Sequence, residues 1–184
     1  FAKDPRFHQP HRRGKTVGTL VASKGCVARC TFCHRWDRGI RYIPVPILMD
    51  RLRYLIERYN VGFVIWGDES FGTDKRWLTE FCRQIKEFDV LWRVSGMRVN
   101  SIRPDYLRMM RDAGCLAVNF GMETGSPRML QIMEKNVKIE DNYNAVRWTL
   151  EEGLGTTIQL VVGMPGESPE TIQETGDFVA YASK

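Results

Sequence analysis

Short apolar runs alternate with amphipathic helical stretches five times along these 184 residues, and no other feature constrains the fold as strongly. Residues 17–22, 62–66, 90–94, 115–120 and 156–162 read as buried strands. Between them, 46–59 carries Leu48, Leu52, Leu55, Ile56 and Tyr59 at helical spacing, and 77–88 carries Trp77, Leu78, Phe81, Ile85 and Phe88. Asp74 is placed to cap the second helix, Pro104 to open the third and Gly114 to close it. Ser126-Pro127 starts a short helix, 140–152 forms the next and ends at Gly153, and Ser168-Pro169 opens the last. Strand–helix–strand repeats require crossover connections, so an α/β fold with a parallel sheet is expected, closed toward a barrel or doubly wound.

Polar, glycine-rich segments follow each strand-like run: 23–26, 67–70, 95–98, 121–125 and 163–167. In parallel α/β folds ligands bind at the carboxyl ends of the strands, so these segments should share one rim. The first of them leads into Cys26-Val-Ala-Arg-Cys30-Thr-Phe-Cys33.

Three of the five cysteines thus fall within eight residues. An odd count with this clustering suits a reducing compartment and a metal rather than a disulfide framework. Structural zinc needs four protein ligands, one more than the triplet offers; His34, Cys82 or Cys115 would have to complete it. An iron–sulfur cluster normally takes one thiolate per iron, so three thiolates would leave one iron open to a cofactor or substrate. Cluster, zinc and chance clustering all remain open on spacing alone. Cys82, in a helical run, and Cys115, at the start of an apolar strand, are expected to pack as small hydrophobes.

Composition removes several classes. At 43% apolar residues the chain is too hydrophobic for disorder. Its longest mostly apolar stretch, 42–49, is far short of the ~20 residues that span a bilayer. The net charge of +5 is modest, and no basic surface interleaved with aromatics is visible, so nucleic acid is not the expected partner.

The triplet, with aromatic Phe32 before its third cysteine, resembles the cluster loop of radical S-adenosylmethionine (radical SAM) enzymes. Ser23-Lys24-Gly25-Cys26, Gly67-Asp68-Glu69-Ser70-Phe71, 121–126, Lys135 and 162–167 resemble the cobalamin-associated group within that family. The resemblance runs from about residue 16 onward. It implies a partial TIM-type (βα) barrel, of which five of six strand–helix units are visible here. It also implies that 1–15 is a connector from a cobalamin domain, and that 16–184 is a core cut before its sixth unit.

By this resemblance Cys26, Cys30 and Cys33 would hold three irons of a 4Fe-4S cluster, with S-adenosylmethionine on the fourth. Reductive cleavage would give a 5′-deoxyadenosyl radical that abstracts hydrogen. Phe32 would lie near the adenine, and Asp68 or Glu69, after Gly67, would accept the methionine amino group. Arg98 would pair with the methionine carboxylate, and Glu123 would contact the ribose or polar end. Val161 and Gly163 would wall the adenine. The implied activities are cobalamin-assisted methylation or ring formation on a small molecule, with flavodoxin or ferredoxin as electron donor. A radical SAM RNA methylthiotransferase and a zinc-stabilised binding module are the alternatives. A cytoplasmic, oxygen-sensitive protein is expected.

Overall fold

The computed structural model describes residues 14–34 and 39–184. The expected connector, with His8 and His11, lies almost wholly outside the described residues. The elements in chain order are β1 (Thr16–Leu20), β2 (Ser23–Lys24), β3 (Arg41–Tyr42), α1 (Val45–Tyr59), β4 (Val61–Trp66), α2 (Lys75–Ile85) and β5 (Leu91–Met97). They continue with α3 (Pro104–Arg111), β6 (Cys115–Glu123), α4 (Pro127–Ile132), α5 (Ile139–Glu151), β7 (Gly155–Leu160) and α6 (Pro169–Ala182).

Five strands form one parallel sheet in the order β1-β4-β5-β6-β7. Strand order follows chain order without reversal. A doubly wound sheet reverses at a switch point, so this winding is that of a partial barrel. The helices agree: α1 packs on α2, α2 on α3, α3 on α5 and α5 on α6, as neighbours on one side of the sheet. Local signals place the helix ends as read from the sequence. Asp74 Oδ1 accepts from Trp77 N at 2.9 Å, Ser126 and Ser168 cap α4 and α6, and Gly114 has φ +91° just past α3.

The core lies between sheet and helices. Phe81 on α2 is fully buried and meets Trp66 and Trp92 edge-on, with centroids 5.1 and 5.4 Å apart. Leu48 and Leu52 of α1 and Val118 and Phe120 of β6 extend the same core. Cys82 and Cys115 are buried within it, as expected of small hydrophobes.

Two strands run farther than their apolar patterns indicate. β5 continues to Met97 and β6 to Glu123, each three residues past the expected end. Ser95, Gly96 and Gly121 read as loop because they are polar or small. They are strand residues, and Ser95, Asn119 and Gly121 face away from the helices: Trp92, Val94, Val118, Phe120 and Met122 fill the helix side of the same strands. Gly96 is needed for close approach, since a Cβ there would stand 2.5 Å from the Asp68 carbonyl oxygen. The short antiparallel pair β2–β3 carries no apolar pattern and is not legible in the sequence.

Candidate cofactor site

The cysteine loop leaves β2 at the carboxyl end of the sheet. Two long-range clamps hold it. Behind β4, the Asp68 carboxylate accepts from Ala22 N at 3.0 and 3.1 Å and from the Ser23 hydroxyl at 2.5 Å. On the other side, Thr31 N donates to the Met133 carbonyl at 3.0 Å, docking the loop on the end of α4.

Cys26, Cys30 and Cys33 lie on this loop outside any disulfide; Cys30 is buried, Cys26 half-buried and Cys33 exposed. Ala28 N donates to Cys26 Sγ at 3.4 Å, a bond of the kind by which a backbone amide orients a sulfur ligand. Among the described residues no three His, Cys, Asp or Glu side chains gather around a single ion. The donor set of three soft thiols on one braced loop fits an iron–sulfur cluster. It does not extend to the core cysteines. Burial pushes the Cys82 thiol up to about 12 and raises Cys115 as well, so without a metal both stay protonated in the core.

Above the inner face of β6 sits an ion pair. Lys135 Nζ lies 2.5 Å from Glu123 Oε1, with both side chains under a tenth exposed. The pair covers Gly121, whose Cβ, if present, would stand 2.5 Å from Glu123 Oε1 and 3.2 Å from Lys135 Nζ. Lys135 Nζ also stands 5.9 Å from the centre of the Phe32 ring, and Arg98 Nη2 donates to the Lys135 carbonyl at 2.9 Å. Phe32, Arg98, Glu123 and the cysteine loop therefore converge through Lys135, which the resemblance marks without giving it a role. The backbone is strained at this point: Glu123, Glu134 and Asn136 have φ of +67°, +48° and +53°. Such left-handed non-glycine residues concentrate where a site over-determines the chain.

The remaining expected residues divide. Asp68 is committed to Ala22 and Ser23, while Glu69 is exposed at the rim beside it. Gly67 is exposed and its N donates to the Leu20 carbonyl at 2.8 Å. Val161 N donates to the Glu123 carbonyl at 2.9 Å, bringing Val161 alongside the pair. Gly163 is farther out, at φ +88°, with its N donating to Glu167 at 2.6 Å. A cleft of about 1210 Å³ flanks the loop, lined by Arg29, Arg98, Arg103, Tyr106 and Lys138 among others; none of the three thiols, Glu69 or Glu123 lines it.

Desolvation raises the Asp68 pKa above the ordinary aspartate value, against the lowering effect of its hydrogen bonds. The folded state then holds this proton more tightly than the unfolded state does. The corresponding stability is complete below the ordinary aspartate pKa and is lost as pH rises through the raised folded value. Asp68→Asn should remove that part of the pH dependence. Thermal midpoints of the cluster-free protein across pH 3 to 8 test it, and superimposable profiles for wild type and variant would refute the assignment.

Residues 20–179 match the family model for the radical SAM superfamily. The chain belongs to the radical SAM superfamily.

Radical SAM cores use a 4Fe-4S cluster and S-adenosylmethionine, which agrees with the thiol set and its surroundings. One relative, anaerobic magnesium-protoporphyrin IX monomethyl ester cyclase from Rubrivivax gelatinosus, is 29% identical over 166 residues, covering 88% of this chain and 30% of that protein. Ribosomal protein uS12 methylthiotransferase RimO from Bacteroides thetaiotaomicron is 28% identical, covering 91% and 42%. The chain thus spans well under half the length of these relatives. Among solved structures, the radical SAM methyltransferase TsrM from Kitasatospora setae, with cobalamin and a 4Fe-4S cluster bound, superposes with TM-score 0.80 at 22% identity, covering 92% of this chain and 33% of that one. This likeness establishes the radical SAM fold. No helix among the described residues is long and apolar enough to cross a membrane.

Proposed function

We propose that this chain is the catalytic core of a cobalamin-associated radical SAM enzyme acting on a small molecule by methylation or ring formation. The observation that carries the reading is the convergence of the cysteine loop, through Phe32, on the buried Glu123–Lys135 pair. Cys26, Cys30 and Cys33 would hold the cluster. When bound, the cluster and S-adenosylmethionine together supply a 5′-deoxyadenosyl radical for hydrogen abstraction.

The chain's own groups bind and orient. Glu69, whose carboxylate is not committed to the loop as that of Asp68 is, accepts the methionine amino group. Arg98 braces the turn that presents Lys135 and supplies positive charge toward the methionine carboxylate. Glu123 accepts from the ribose or polar end, and Phe32 and Val161 flank the adenine. Gly67 and Gly163 shape the rim loops around it. Flavodoxin or ferredoxin would deliver the electron, in a cytoplasmic and oxygen-poor setting.

Anaerobic reconstitution of the full-length protein with iron and sulfide tests this. We expect about four irons per chain and an electron paramagnetic resonance spectrum of the reduced protein that changes on adding S-adenosylmethionine. Tightly held zinc without iron would overturn the reading and favour a zinc-stabilised module. The RimO likeness supports methylthiotransfer as a second reading. Failure of the full-length protein to bind cobalamin would favour it.

A further inference from the structure

The inner face of the sheet has an uneven character. On β1 and β4 it is largely apolar, with Val17, Phe63 and Ile65. On β5, β6 and β7 it turns polar and small: Arg93, Ser95, Ala117, Asn119, Gly121, Gly155, Thr157 and Gln159. The interior of a (βα) barrel is ordinarily packed with bulky branched side chains, so this half of the face is not built as a packed core.

Two polar atoms on this face lack partners. Arg93 Nε and Asn119 Oδ1 are buried atoms with no hydrogen bond. No ion pair is formed by Arg93 among the described residues. Both residues are half-buried, and the guanidinium is always charged, so an Nε shielded from water without an acceptor is a donor left unsatisfied at a cost. Both residues lie on the side opposite the helix-facing core residues Trp92, Val94, Val118 and Phe120. Arg93 is in register with Ala117, itself beside Gly155, so the smallest side chains of the face leave space next to the guanidinium. On the same face Asn119 is two residues past Ala117 and Gly121 two further. At ~3.3 Å per residue, Asn119 lies about 7 Å and Arg93 about 13 Å below the Gly121 level, which the Glu123–Lys135 pair covers.

We propose that Arg93 and Asn119 form a substrate-recognition site for an oxyanion, a carboxylate or a phosphonate, carried at the end of the substrate remote from the reacting carbon. This rests on the proposed function for the reaction, though not for the anion site. Arg93 supplies the forked donors that match a planar or tetrahedral oxyanion. Asn119 contributes its amide, rotated so that the NH2 donates to the anion. A substrate lying between the two levels would present its reacting carbon near the cofactor site and its anion at the Arg93 level.

The test uses full-length, cluster-loaded protein in the oxidised state and three probes: propionate, methylphosphonate and neutral propionamide. Ligand-observed saturation-transfer NMR should report binding of at least one anion and none of propionamide. The two anions distinguish a carboxylate site from a phosphonate site. Arg93→Met should weaken anion binding at least about tenfold, Asn119→Ala should weaken it less, and Arg93→Lys should restore part of it. Binding of S-adenosylmethionine, read by its spectral change, should persist in all three variants. Equal anion binding by wild type and Arg93→Met would overturn the proposal. So would absence of anion binding in the wild type with a lowered thermal midpoint in Arg93→Met, which would mean that the chain's own carboxylate neutralises the guanidinium. Loss of S-adenosylmethionine binding by the wild type would instead count against the proposed function alone, because anion binding does not require it.

Discussion

Replacing Lys135 with Met is expected to lower the thermal midpoint by about 10 °C, and pairing that change with Glu123→Gln is expected to restore most of it. Removing one partner of a buried ion pair leaves the other charge unpaired, at a cost of about 3–5 kcal/mol. For a chain of this length ~1 kcal/mol corresponds to about 2–4 °C. Replacing both partners with neutral groups of similar size is far less costly, because neither charge is then left buried alone. Binding of S-adenosylmethionine should follow a different course. If Glu123 contacts the cofactor, Glu123→Gln alone should weaken binding by about tenfold or more, equivalent to ~1.4 kcal/mol, and the double variant should not recover it. Calorimetric melting and equilibrium binding on the same three variants separate the roles. A double variant that recovers both stability and cofactor binding would make the pair purely structural.

The second large effect concerns the thiols. Cys26→Ala, Cys30→Ala and Cys33→Ala should each reduce reconstituted iron from about four per chain to background and abolish reductive cleavage of S-adenosylmethionine. Two thiolates cannot anchor three irons, and the loop offers no fourth sulfur. Cys82→Ala should keep full iron content and cleavage while costing about 1 kcal/mol of stability, since it removes one small buried group from the core. Iron analysis and 5′-deoxyadenosine production across the four variants decide the matter. Loss of the cluster in Cys82→Ala would show that the ligand set includes a core cysteine.

These expectations differ in how far the sequence anticipates them. The cysteine triplet is legible because its ligands lie within eight residues, and their meaning depends on spacing rather than on folding. The Glu123–Lys135 pair was half legible. Glu123 stands between two glycines at a strand end, and the resemblance marks Lys135 without a role; its pairing becomes visible only when the turn after α4 carries it 2.5 Å from the carboxylate. Asp68 and Glu69 are adjacent and chemically alike. Only the return of β1 beside β4 commits Asp68 to Ala22 and Ser23, leaving Glu69 at the rim.

The inner face shows the same limit. Ser95 and Gly121 read as loop residues, because polar and small residues after an apolar run ordinarily mark a turn in contact with water. Here they mark a concave face that helices do not cover.

What the sequence determined by itself is therefore local: five strand–helix units, the helix caps at Asp74, Ser126 and Ser168, and three thiols on one loop. Each is encoded in residues a few positions apart, through backbone periodicity, capping geometry and ligand spacing. The tertiary structure settled that the sheet winds as a partial barrel, which the strand–helix pattern left open and the resemblance implied, and that the loop docks on the end of α4. It also decided which carboxylate stays uncommitted and where Arg93 and Asn119 face. Those outcomes rest on contacts between segments 12 to 102 residues apart, such as Glu123–Lys135 and Thr31–Met133, which exist only once the parallel strands have aligned.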